Sequence, residues 1–175
     1  MRHTHLIPYS ALFIALIAAF SFISIPFFPV PLTLQTLAVL LAGAVMKRYA
    51  VYPVTLYIIL GILGLPVFHN GMAGIGMLFG PTGGYIIGFI PAVCIVGICY
   101  ERSTIARAFG LVSGTLIIYL FGISWLIVST GMDPYAAVLV GLIPFLPGDL
   151  IKAFLCFLIA KKIETAGFTL SGRPT

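Results

Sequence analysis

The sequence predicts an all-α integral membrane protein, a single bundle of six transmembrane helices. Three observations predict it. Of 175 residues, 61% are hydrophobic and only 7% are charged, where a soluble domain carries roughly a quarter charged residues; there is too little polar surface to meet water. Six apolar stretches, four of them long enough to cross a bilayer, recur along the chain, at about 6–25, 33–46, 50–65, 82–100, 104–130 and 135–161. The basic residues fall almost entirely between alternate stretches. The length suits one domain, 1–175.

The first stretch, Leu6 to Ile25, has the roughly 20 apolar residues a spanning helix needs. A signal peptide normally precedes a soluble domain, and none follows, so a first transmembrane helix is expected. It carries Ala11, Ala15 and Ala19 in a row at four-residue spacing. Small residues on one face let helices approach closely. The row can face either this chain's own bundle or a partner. PFFPVP follows at 26–31. The second and third stretches are short, and are read as tilted or as starting within their loops. Next, 64–84 reads GLPVFHNGMAGIGMLFGPTGG. Like PFFPVP it is apolar, rich in Pro and Gly, and free of charge. Irregular apolar backbone is tolerated where it packs on protein or lines a cavity. Both loops are therefore expected to fold down over the bundle as lids. The fourth and fifth stretches hold Gly84/Gly88 and Gly110/Gly114, expected to pack within the chain. Cys94, Cys99 and Cys156 sit in apolar runs without metal or disulfide spacing and read as small hydrophobes.

The charges set the topology. Arg2, Lys47, Arg48, Arg102, Arg107, Lys161, Lys162 and Arg173 all fall on one side if both termini are cytoplasmic. The opposite loops, about 26–32, 66–81 and 131–134, hold no Lys or Arg and a single charge, Asp133. That is the positive-inside pattern of a multi-pass protein of the cell membrane. It accounts for the net charge of +5 without a nucleic-acid partner.

The ninth basic residue, Lys152, breaks the pattern. It lies in PFLPGDLIK, 144–152, together with Asp149 and inside an otherwise apolar run. At about 1.5 Å per residue, Asp149 stands roughly 18 Å above the end marked by Lys161, close to the middle of a hydrocarbon core about 30 Å thick. A charge there costs at least about 2.5–3.5 kcal/mol. Positions three apart share a helix face, so the two can neutralise each other. Pro144 and Pro147 break the helix just upstream, and Gly148 leaves room for a close approach. Broken helices at mid-membrane depth are where transporters bind substrate. A structural ion pair pinning the kink is the plainer alternative. Gln35 in the second span is read either as a cavity group or as a helix-to-helix hydrogen bond. His69 and Asn70 read as solvated loop residues, and one histidine without companions is no metal site. FGPTGGY, 79–85, lacks the nucleotide-binding P-loop pattern. No catalytic triad, zinc-protease motif or carboxylate pair is present, so no enzyme is expected.

PVPLTLQTLAVLLAG (29–43), GLPVF (64–68), FGPTGGY (79–85) and GLIPFLPGDLIKA (141–153) resemble, in order and spacing, the BioY family, over about residues 8–162. That family is the biotin-specific substrate-binding (S) component of energy-coupling-factor (ECF) transporters. The resemblance implies a six-helix S-component fold with a lidded pocket on the outer side. It also implies biotin as transported substrate with no cofactor, and partners: a transmembrane coupling (T) protein and two ABC-type ATPases. By motif, Asp149, Lys152 and Gln35 look like pocket residues, and Tyr85 like an aromatic wall. The Ala11, Ala15, Ala19 strip would dock the coupling protein. Two positions depart: Met72 stands where some relatives have Asn, and Ile86 where some have Arg. The biotin carboxylate would then be met by Lys152, Asn70 or backbone amides. Physically, a carboxylate accepts from ureido N–H groups, an ammonium donates to the carbonyl or pairs the tail, and apolar lids cover the rest. The alternatives are a solitary proton- or ion-coupled carrier in which Asp149 titrates, and a structural subunit that binds nothing.

Overall fold

A computed structural model describes residues 6–166. Helix α1 spans Leu6–Phe22. It leads into a two-rung antiparallel ladder, β1 (Ser24–Ile25) with β2 (Leu32–Thr33), which pairs Ser24 with Thr33. Then come α2 (Gln35–Met46), a 3-10 turn at Lys47–Ala50, and α3 (Val51–Ile62). A long loop holds a 3-10 turn at His69–Gly71 and the single-turn α4 (Gly76–Phe79). Helices α5 (Gly83–Tyr100), α6 (Thr104–Thr130), α7 (Pro134–Gly141) and α8 (Leu146–Thr165) complete the bundle.

Each expected stretch has its helix, and the sixth is broken into α7 and α8 at an angle of 50°. The ladder is the feature an all-α reading leaves out; it is the staple that closes the PFFPVP loop. Arg2 and Arg173, two of the charges used for topology, lie outside the described residues.

Helix α2 is the centre. Ten consecutive residues, Leu37 to Met46, are buried, and α1, α5 and α8 pack around it. A helix apolar on every side belongs in such a place. The lipid-facing helices differ. Leu116 and Leu120 on α6 and Leu150 and Phe154 on α8 are more than half exposed, which suits hydrocarbon as solvent. The α5–α6 contact is close because its glycines face it. A side chain at Gly84 would strike Phe121 and Trp125, one at Gly88 would meet Ile118, and one at Gly114 would meet Val96. Both glycine pairs thus pack within the chain, as expected.

Helices α2 and α3 have 12 residues each, about 18 Å, well short of a core about 30 Å thick. The chain reverses between them at Lys47, which adopts a positive φ of 56°. The missing length is made up by the two apolar loops, and Phe68 of the second is wholly buried against Tyr57, ring centroids 5.7 Å apart. Asp133, the one acid of the opposite loops, caps α7 by accepting from the Tyr135 and Ala136 amides. At the far end, Arg48 pairs with Glu101 at 3.4 Å and Arg107 with Glu164 at 2.7 Å. The bundle therefore has one charged end and one apolar, lidded end.

Candidate functional site

At the lidded end a cavity of about 510 Å³, open mouth included, lies between α2, α5, α6 and α8 beneath both loops. Its floor is built by the start of α8. Pro147 occupies the first turn of α8, where its missing N–H costs nothing. The turn between α7 and α8 aims that first turn into the bundle. Asp149 and Lys152, one turn apart, are 6% and 8% exposed, and Lys152 Nζ donates to Asp149 Oδ1 at 2.8 Å.

The pair does not stand alone. Lys152 Nζ also donates to the Thr33 carbonyl at 2.6 Å and to Thr36 Oγ1 at 3.1 Å. Thr36 Oγ1 reaches Asp149 Oδ1 at 3.3 Å, and the Tyr119 hydroxyl donates to Asp149 Oδ2. Four elements, β2, α2, α6 and α8, thus meet on two buried charges. A buried ion pair persists only when hydrogen bonds satisfy its remaining positions, and here they do. The result is a preformed donor and acceptor side by side on one cavity wall.

The other sequence candidates fall as follows. Gln35 lines the cavity, and its amide donates to Tyr57 at 2.5 Å, whose hydroxyl donates to the Val67 carbonyl. It therefore both faces the cavity and ties α2 to α3 and the second lid. The Tyr85 ring lines the cavity while its hydroxyl donates to the Gly141 carbonyl at 2.8 Å, pinning α7. Asn70 is exposed and does not line the cavity; its Oδ1 accepts from Ser24, joining the two lids. His69, read from sequence as solvated, does line the cavity, and both of its ring nitrogens are buried without a partner. Burial holds it below the ordinary imidazole pKa. Gly148 has open space where a side chain would stand, so nothing packs closely there. Ala11, Ala15 and Ala19 are all exposed on the outer face of α1, opposite its buried Phe13 and Ile17.

Sequence reasoning missed Thr36 and Tyr119. Tyr119 is the sole tyrosine of α6 and stands mid-run in LIIYLFG, a signal of the same kind as Gln35 but weaker. The lids behave as expected. Val30, Pro31 and Thr82 line the cavity, Phe27 packs edge-on against Phe145, and Trp125 donates to the Gly80 carbonyl to hold the second lid.

The chain matches the BioY family over residues 1–168. It is 39% identical over 155 residues to the probable biotin transporter BioY of Pyrococcus horikoshii, covering 88% of this chain and 93% of that one. It is 40% identical over 159 residues to the biotin transporter BioY of Thermotoga maritima, covering 89% and 93%. Among solved structures it resembles the S-component for biotin from an ECF-type ABC transporter, with a TM-score of 0.84 and 27% identity over 94% of this chain and 95% of that one.

Proposed function

The chain belongs to the BioY family, and on that premise we propose that it is the membrane-embedded biotin-binding subunit of a biotin uptake transporter. The observation that carries the reading is the Asp149–Lys152 pair, buried, held in place by hydrogen bonds from neighbouring elements and set on the wall of a lidded cavity. The ureido ring of biotin shows an N–H and the carbonyl side by side on one edge. An acceptor and a donor one helical turn apart match that edge. Charge-assisted hydrogen bonds of this kind are about twice as strong as neutral ones. Ile86, Phe89 and Ile118 supply apolar walls for the sulfur ring and tail, in keeping with pockets that are mostly apolar with a few fixed polar groups.

Ligand exchange has a simple route. When biotin enters, its carbonyl takes the Lys152 hydrogen now held by Thr36 Oγ1, the longest of the three bonds at 3.1 Å. The ion pair itself need not open. Energy for accumulation is supplied from outside the chain: a transmembrane coupling protein and two ABC-type ATPases are the partners. The charged end, with Arg48, Glu101, Arg107 and Glu164, faces the cytoplasm, both termini lie on that side, and the lids open outward.

Titration calorimetry of the purified chain with biotin tests the reading. Saturable one-to-one binding is expected, and absence of binding overturns it. For orientation, a cysteine at position 48 in a background lacking the native cysteines should resist an impermeant outside reagent, and one at position 70 should react. The reverse pattern inverts the topology.

A further inference from the structure

We propose that His69 is the residue that holds the carboxylate end of the ligand, an assignment that rests on the biotin reading above. Biotin is charged at one end only. Among the described residues that line the cavity, two are basic, Lys152 and His69. Lys152 is committed: two of its three hydrogens stay on the Thr33 carbonyl at 2.6 Å and Asp149 at 2.8 Å, and the third, now on Thr36 at 3.1 Å, goes to the ureido carbonyl on the reading above. Its charge is matched by Asp149 at the same place, so an anionic tail brought there would meet a carboxylate, and like charges in one site disfavour each other.

His69 is placed differently. It belongs to the second lid, outside the β2–α2–α6–α8 cluster, so the two polar stations of the cavity come from separate elements. No acid occurs in its loop between Gly64 and Gly84. Both ring nitrogens are buried and have no hydrogen-bond partner. Buried polar atoms are nearly always paired, and an unpaired one disfavours the arrangement that contains it. A carboxylate oxygen accepting from the ring N–H supplies the missing partner. The ring lies on the lid rather than on a helix, so the same contact holds the lid over the bound ligand. Biotin then lies with its ureido edge on Asp149 and Lys152 and its tail under His69.

The test compares biotin with biotinamide, whose tail is neutral, by titration calorimetry of the full chain in detergent. Wild type should favour biotin by about tenfold or more, the worth of one hydrogen bond to a charged group. His69→Phe, or His69→Leu if the first does not fold, should narrow that ratio to about threefold or less. His69→Lys should restore it. Because each ratio is internal to one variant, a general loosening of the pocket cancels. A ratio in His69→Phe equal to the wild-type one overturns the assignment. So does a ratio lost in Lys152→Met or Asn70→Ala and kept in His69→Phe, or a wild type indifferent to the two ligands. A wild type that binds neither ligand strikes the biotin reading itself, and this assignment with it.

Discussion

The Lys152 ammonium carries three hydrogens and is met by three acceptors, while Asp149 accepts from Lys152, Thr36 and Tyr119. Such a cluster is sensitive to truncation on either side. Asp149→Ala leaves a buried ammonium without its counter-charge, a loss of about 3–5 kcal/mol. Biotin binding should vanish from calorimetry and the thermal midpoint should fall; wild-type affinity in this variant would remove Asp149 from the site. Tyr119→Phe is gentler, since it deletes one hydrogen bond to a charged group and keeps the ring. Affinity should drop roughly tenfold to a hundredfold, in line with about 1.5–3 kcal/mol, with the fold retained. An unchanged affinity would make the Tyr119 hydroxyl a spectator. The two charges were legible in the sequence because an acid and a base in an apolar span demand a reason. Tyr119, Thr36 and His69 were not, because tyrosine and threonine are ordinary in such helices and a loop histidine is ordinarily wet. Only the folded arrangement shows that they converge.

Helix lengths explain why the cavity exists. Two 12-residue helices cannot span the core alone, so irregular backbone fills the remaining depth and forms a roof. The hydropathy pattern gave the helices, and the prolines at 144 and 147 gave the break between α7 and α8. The β1–β2 ladder was not legible: two paired residues per strand are too few for any alternation to register. Glycine was legible only in part. Gly84 and Gly88 pack tightly on α6, whereas Gly148, expected to admit a backbone or a ligand, has no protein neighbour within 4 Å of where a side chain would stand. These two environments predict opposite outcomes. Gly84→Leu forces a side chain into Phe121 and Trp125; overpacking of this kind costs about 1–3 kcal/mol or more. Its thermal midpoint in detergent should fall clearly. Gly148→Ala should hold or raise the midpoint, because alanine favours a helix over glycine by up to about 1 kcal/mol. Equal loss in both variants would mean that Gly148 is packed after all.

At the scale of the whole molecule, the bundle separates its tasks. Among the described residues, the cavity is lined from α2, α5, α6, α8 and the two loops, and none of its lining comes from α1. Helix α1 instead buries Phe13, Ile17 and Ser21 against the bundle and turns Ala11, Ala15 and Ala19 outward. Leu12, 59% exposed beside the strip, marks its edge. Lipid tails are as apolar as any side chain, so two helices gain little from hydrophobic burial in a bilayer. They associate through close van der Waals contact, which needs a flat strip of small residues. The alanine row is such a strip, and on the functional reading we propose that the coupling protein docks there. A large side chain at its centre should hold the partner away without touching the cavity. Ala15→Trp is therefore expected to keep the biotin affinity of the wild type in calorimetry while losing both co-purification with the coupling protein and ATP-dependent uptake. Lost binding with an intact complex would show that the strip packs within its own bundle. Undiminished uptake in cells lacking the ATPases would instead favour a carrier that works alone on an ion gradient.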